Sequence, residues 1–120
     1  MIGWLDSLAA AEVATTAITA AELLDGVARL PDGRRKTELS AAVRGLLSED
    51  FGGRVVPFDG PAASRYAEIV SHSVRLGRRI DIADAQIAAI CSAIGATLAT
   101  RNTDDFRETG VHLINPWNPA

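Results

Sequence analysis

The residues best equipped for chemistry in this 120-residue chain are acids, and they recur in three short stretches. The first is TAAE, from Thr19 to Glu22; the second is DIAD, from Asp81 to Asp84; the third is TRNTDD, from Thr100 to Asp105. Clustered carboxylate oxygens are hard ligands that suit Mg²⁺ or Mn²⁺. Such ions activate water and offset the charge that builds on a phosphate during phosphoester hydrolysis. Asp84 stands out. It lies in RRIDIADAQIAAIC, where Ile87, Cys91 and Ile94 follow it at steps of three, four and three, the spacing of one helical face. An ionised carboxylate on a buried face is costly unless it is paired, hydrogen-bonded or bound to a metal.

The same spacings have a plainer reading. Thr19 with Glu22 forms a capping box, Asp81 with Asp84 resembles one, and Asn102 with Asp105 suits a turn cap. Carboxylates are favoured at helix N-termini in any case. Capping and cation binding are compatible at the mouth of a crevice, so spacing alone leaves both open. Asp84 fits capping least well, because it falls on the apolar stripe.

These acids need elements to position them. VATTAI, Val13 to Ile18, is short and β-branched and reads as a strand. A helix is then expected from Thr19 to about Leu30, with Leu23, Val27 and Leu30 inward, broken by Pro31, Asp32 and Gly33. A second helix should run from about Arg34 to Leu47, with Leu39, Val43 and Leu46 or Leu47 inward, before a turn at Gly52 and Gly53. RVVPF, Arg54 to Phe58, reads as a short strand that Pro57 confines to an edge or an end. A third helix is expected from Gly60 to about Leu76 and a fourth from Ile82 to Ile94, closed by Gly77 and Gly95. ATLA and VHLI supply two more strands around a helical turn at Thr103 to Phe106. Strands alternating with helices imply an α/β fold with a parallel, helix-covered sheet. In such sheets, sites form at the carboxyl ends of strands, where the first and third acidic stretches fall.

Bulk properties narrow the functions. The length fits a single domain, 1–120, and 48% hydrophobic residues suit an ordered core. A net charge of −3 does not suit a nonspecific nucleic-acid coat protein. No apolar run reaches transmembrane length and no leader pattern opens the chain, so a cytoplasmic protein is expected. The single cysteine, Cys91, reads as core filler in a reducing compartment. No glycine-rich phosphate loop follows a strand. His72 is expected at the surface and His112 toward solvent or an interface, and neither has a zinc-spaced partner. Trp4 and Trp117 are expected to cover core edges or anchor a dimer or partner contact. The basic runs Arg34–Lys36 and Arg75–Arg79 read first as solvated helix ends. Arg78 and Arg79, just before Asp84, and Arg101, inside the third stretch, are candidate contacts for phosphates or an acidic partner segment.

Taken in order, TTAITAAELLDGV, RVVPFD, DIADAQIAAI, ATLATRNTDDF and VHLINPW resemble the PIN-domain ribonucleases, in particular the VapC- and FitB-like toxins of bacterial toxin–antitoxin pairs. The resemblance covers nearly the whole chain. It implies a three-layer α/β/α fold and a Mg²⁺- or Mn²⁺-dependent ribonuclease whose cognate antitoxin inserts a segment into the active site. Matched position by position, the family's acids fall on Glu22, Asp84 and Asp105, with Thr100 and Asn102 in support. The resemblance also implies a homodimer and promoter DNA bound only indirectly, through the antitoxin.

One departure accompanies the match. The family opens with a strand ending in an Asp-Thr-Asn motif that supplies a principal metal ligand, and this sequence has no such segment; its opening, Gly3 to Leu8, resembles the stretch before the family's second strand. Asp6 precedes the first predicted strand and does not replace the missing acid. In the family, that first strand lies between those corresponding to VATTAI and ATLA. Read as an N-terminally incomplete PIN-like domain, the chain is expected to bind metal weakly and cleave RNA poorly. The rival expectation is a non-catalytic module that retains the antitoxin or dimer surface.

Overall fold

The computed structural model describes residues 14–100 and 102–115, with only the backbone of residue 50. The expectations placed on Trp4, Asp6, Arg101 and Trp117, and on Val13 at the start of the first strand, lie outside these residues. The described chain is a helix-rich α/β structure and falls into two compact units, one ending at Pro57 and the other beginning at Phe58. Each contains one two-stranded parallel ladder.

In the first unit, β1 (Thr15–Thr16) pairs with β2 (Val55–Val56), Thr15 opposite Val55 and Thr16 opposite Val56. The connection runs through α1 (Ala17–Ala28), α2 (Arg34–Gly45) and a wide π-type turn, Leu46–Asp50. Parallel strands require such a crossover. β2 ends before Pro57, whose ring nitrogen cannot donate to a ladder.

The start of α1 corrects the sequence reading. The helix begins at Ala17 rather than Thr19, because Thr16 caps it: the Thr16 Oγ1 accepts from the Thr19 amide at 3.0 Å and donates to the Thr19 hydroxyl at 2.9 Å. Thr19 and Glu22 therefore lie inside the helix, and no Thr19–Glu22 capping box forms. Ile18, expected in the strand, is helical as well. Replacing an N-cap threonine costs about 1 kcal/mol. We expect Thr16→Ala to lower the urea midpoint accordingly and Glu22→Gln to leave it unchanged; equal effects would restore the capping box.

The inward stripes expected of α1 and α2 are only partly covered. Leu23 and Leu39 are exposed, Val27, Leu30, Val43, Leu46 and Leu47 are half-buried, and Thr16 and Ala20 are the buried residues among those described in this unit.

The second unit holds the larger core. α3 (Gly60–Arg75) starts at Asp59, whose side chain accepts from the Ala62 amide at 3.2 Å, with Pro61 in the first turn. Ala62, Tyr66, Ile69 and Ser73 follow at steps of four, three and four, and this stripe is covered: Ala62, Ile69 and Ser73 are buried and Tyr66 is half-buried. The Tyr66 ring meets Phe58 edge-on, with centroids 5.9 Å apart. α3 packs against α4 (Ile82–Ile94). On α4, Ala85, Ala88 and Ala89 are fully buried and Ile90 is nearly so. Small side chains let the two helices approach closely. α4 closes at Gly95, whose φ of +67° is the left-handed conformation that favours glycine.

Beyond it, β3 (Leu98–Ala99) pairs in parallel with β4 (Leu113–Ile114), Leu98 opposite Leu113 and Ala99 opposite Ile114. α5 (Thr103–Phe106) and a 3₁₀ turn, Arg107–Thr109, lie between them, anchored by the buried Phe106 ring. Among the described residues β1 pairs with β2 and β3 with β4, and no β1–β3 ladder is present.

Cys91 is buried on α4, as core filler should be, and burial pushes its thiol from 9.0 up to about 11. An unfolded chain loses that proton from about pH 9, while the folded one keeps it to about pH 11. Stability therefore falls as pH rises through this window. We expect wild type to lose about 2 kcal/mol relative to Cys91→Ala between these limits, read from urea melts; parallel pH profiles would show that Cys91 does not titrate late.

Candidate metal and phosphate site

Asp84 occupies the first turn of α4, one turn ahead of the buried Ile87 and Ala88. The helix forms there because the Asp81 carbonyl accepts from the Ala85 amide at 2.9 Å. Asp81 is the capping residue by position, yet its carboxylate makes no cap bond. The Asp81–Asp84 capping reading is thus not realised through the Asp81 side chain. Asp84 is half-buried. Its expected stripe continues through the buried Ile87 and Cys91 but fails at Ile94, which is 56% exposed.

α5 supplies the other acids. Its first turn closes through an Asp105 amide to Asn102 carbonyl bond of 3.1 Å, and no Asn102 side-chain cap forms. The Thr100 Oγ1 accepts from the Asn102 amide at 3.1 Å, tying down the loop backbone after β3. Asp104 pairs with Arg107 on the same turn, and Asp105 is exposed.

These segments enclose a cavity of about 380 Å³ within the second unit, lined by Asp81, Asp84, Asp104, Asp105 and Glu108 together with Arg78 and Arg79. Ile69, Ser73 and Ile80 complete its wall. Asp84 and Asp105, matched from the family's motifs, therefore share one cavity. Thr100 and Asn102 stand outside its lining, and Glu22 lies exposed on α1 in the first unit. The Arg78 guanidinium reaches Glu108 at 3.1 Å. His72 and His112 are exposed, as expected.

Ser73 and Glu108 escaped the sequence reading. Glu108 follows Asp105 by three residues, a helical-face spacing that pointed to it. Ser73 is a hydroxyl on the apolar stripe of α3, a polar residue in a buried register.

The donor set suits a hard divalent cation in kind. Mg²⁺ keeps several waters and takes one or two carboxylates together with substrate phosphate oxygens, and Asp84 and Asp105 offer two carboxylates to one cavity. No group of three His, Cys, Asp or Glu side chains placed to hold a metal occurs among the described residues.

Comparisons with known proteins identify the family. The PIN domain profile matches residues 2–111, spanning both units. Toxin FitB of Neisseria gonorrhoeae is 41% identical over 118 residues, covering 98% of this chain and 85% of FitB. VapC ribonuclease Y4jK of Sinorhizobium fredii is 38% identical over 120 residues, covering 100% of this chain and 86% of that protein. The solved structure of FitAB bound to an IR36 DNA fragment superposes with a TM-score of 0.88 at 40% identity, over 98% of this chain and 82% of that one. A profile match over most of the length, and relatives this similar over nearly all of it, show the family: the chain belongs to the PIN-domain family, beside toxins of the FitB and VapC kind.

Proposed function

We propose that this protein is a metal-dependent ribonuclease toxin of a toxin–antitoxin pair. The observation that carries the reading is the meeting of Asp84 and Asp105 in one carboxylate-lined cavity, in a chain whose relatives include a VapC ribonuclease. On this reading the chain is a single domain, and the family's acids fall on Glu22 as well as on Asp84 and Asp105. Asp84 and Asp105 would hold Mg²⁺ or Mn²⁺, with Thr100 and Asn102 keeping the loop before Asp105 in shape. When bound, the ion supplies a water of lowered pKa and stabilises charge on the phosphate. Arg78, Arg79 and Arg101 meet the phosphodiester backbone and hold it in register.

The partner is a cognate antitoxin that covers the cavity, and promoter DNA is reached only through it; a related complex, FitAB, has been solved bound to a DNA fragment. The protein works as a cytoplasmic homodimer. No described helix is long and apolar enough to cross a membrane.

A second reading draws on the likeness to solved toxin–antitoxin complexes: the chain would act as a non-catalytic, antitoxin-binding or dimerising module. One assay separates the two: RNA cleavage by purified protein with Mg²⁺ or Mn²⁺, with and without chelator, beside Asp84→Asn. Metal-dependent cleavage lost in the variant supports the ribonuclease. Antitoxin binding without cleavage at any metal concentration supports the module.

A further inference from the structure

We propose that Ser73 is a positioning residue that aims Arg78 at the phosphodiester backbone of RNA, an inference that rests on the ribonuclease reading of the same cavity. Ser73 occupies the apolar stripe of α3 and is only 7% exposed. Both of its polar functions end on one residue. The Ser73 carbonyl accepts from the Arg78 amide at 3.0 Å, and the Ser73 hydroxyl donates to the Arg78 carbonyl. Between them the chain reverses at Gly77, whose φ is +71°. The amide and the carbonyl of Arg78 are thus clamped to the end of α3, and Ser73, which makes both bonds, is one of the residues lining the cavity with Asp84 and Asp105.

The clamp fixes where the Arg78 side chain begins. Its guanidinium then reaches Glu108, thirty residues on, at 3.1 Å. Both partners are well exposed, at 66% and 41%. An exposed pair of this kind contributes little to stability, so the guanidinium can exchange the carboxylate for a phosphate oxygen at small cost. Its planar fork suits that oxygen pair. A phosphodiester also suits the surroundings: one edge meets Arg78 and the other faces the acids that would hold the cation. An acidic peptide has no such second partner. If the Ser73 hydroxyl is removed, the Arg78 carbonyl loses its donor and the turn loosens, so the arginine is still present but no longer aimed.

The test is fluorescence anisotropy of a labelled single-stranded RNA in magnesium-free calcium buffer, across a salt series, with wild type, Ser73→Ala, Arg78→Ala and the double variant. Arg78→Ala should weaken binding and flatten the salt slope by about 0.7, the value for one phosphate contact on a single strand. Ser73→Ala should weaken binding several-fold and add nothing in the Arg78→Ala background, because it acts only through that side chain. If Ser73→Ala does not fold, Gly77→Ala strains the same turn; a Cβ there meets no atom within 4 Å, and its loss of affinity should likewise vanish without Arg78. Wild-type affinity in Ser73→Ala, or an additive loss in the double variant, overturns the proposal. So does a loss seen only for a polyglutamate peptide and not for RNA. Absence of RNA binding by wild type would instead sink the ribonuclease reading itself.

Discussion

Asp84→Asn is expected to lower metal-dependent RNA cleavage by about two orders of magnitude or more while leaving the melting temperature unchanged or slightly raised. The magnitude is that of losing a charged group at the reacting centre, the role proposed for Asp84. The substitution keeps the shape of the side chain but removes the charge that would hold a cation. Structure should tolerate it, since Asp84 lies in the first turn of α4 and is half-buried rather than enclosed. Asp105→Asn should act in the same direction, because the two share the cavity. Asp104→Asn is the matched control: its carboxylate is exposed and engaged with Arg107 on its own turn, so cleavage should change by less than about threefold, in line with the small worth of exposed pairs. Initial rates against Mn²⁺ concentration would test the set. Equal losses from Asp84→Asn and Asp104→Asn would mean that general charge, rather than a defined ligand, governs the activity.

The second large effect concerns the packing that holds Asp84 in place. Ile90→Ala should destabilise the protein by about 3 kcal/mol, within the range for emptying a fully buried aliphatic position. Ile90 is 1% exposed and is the largest fully buried side chain of the described residues. Ala85, Ala88 and Ala89 of the same helix are at 0% exposure, and alanines have no rotamers with which to fill a void. Ile90→Val should cost about 1 kcal/mol, since one methylene is lost. With total stabilities of about 5–15 kcal/mol, the alanine variant should shift the urea midpoint markedly with little change in slope. Cleavage at low temperature should persist, because the site residues are untouched, and should fail on warming sooner than in wild type. A loss below about 1 kcal/mol would show that α4 is not tightly packed against α3.

The two helices of the second unit could be read from the sequence almost to the residue. Asp59 and Pro61 mark the start of α3, and the left-handed glycines at 77 and 95 follow the ends of α3 and α4. These signals act within a single turn, so local chemistry suffices. The start of α1 was harder for the same reason inverted: Thr16 and Thr19 are equally able caps, and the choice depends on which amide turns toward which hydroxyl. The strands were recognised but overextended. Each described ladder is only two residues long, and strand length is decided by the partner rather than by β-branched composition. The apolar positions of α1 and α2 show the same limit, since periodicity identifies a face but not the area available to cover it.

By itself, the sequence determined the α/β class and set Asp84 and Asp105 in the first turns of α4 and α5, while the PIN-like order of motifs, with Glu22, Asp84 and Asp105 as its acids, came from resemblance. Those features depend on residue type and on spacings of a few positions. Only the tertiary structure decided that these acids share a cavity with Arg78 and Glu108, that Ser73 clamps the turn carrying Arg78, and that Thr16 rather than Thr19 begins α1. Ser73 and Glu108 are separated by the whole of α4, β3 and α5, and they meet the same cavity because α3 packs on α4 and the chain returns past it. Packing between distant segments is a property of the enclosed volume, which no local pattern of residues records.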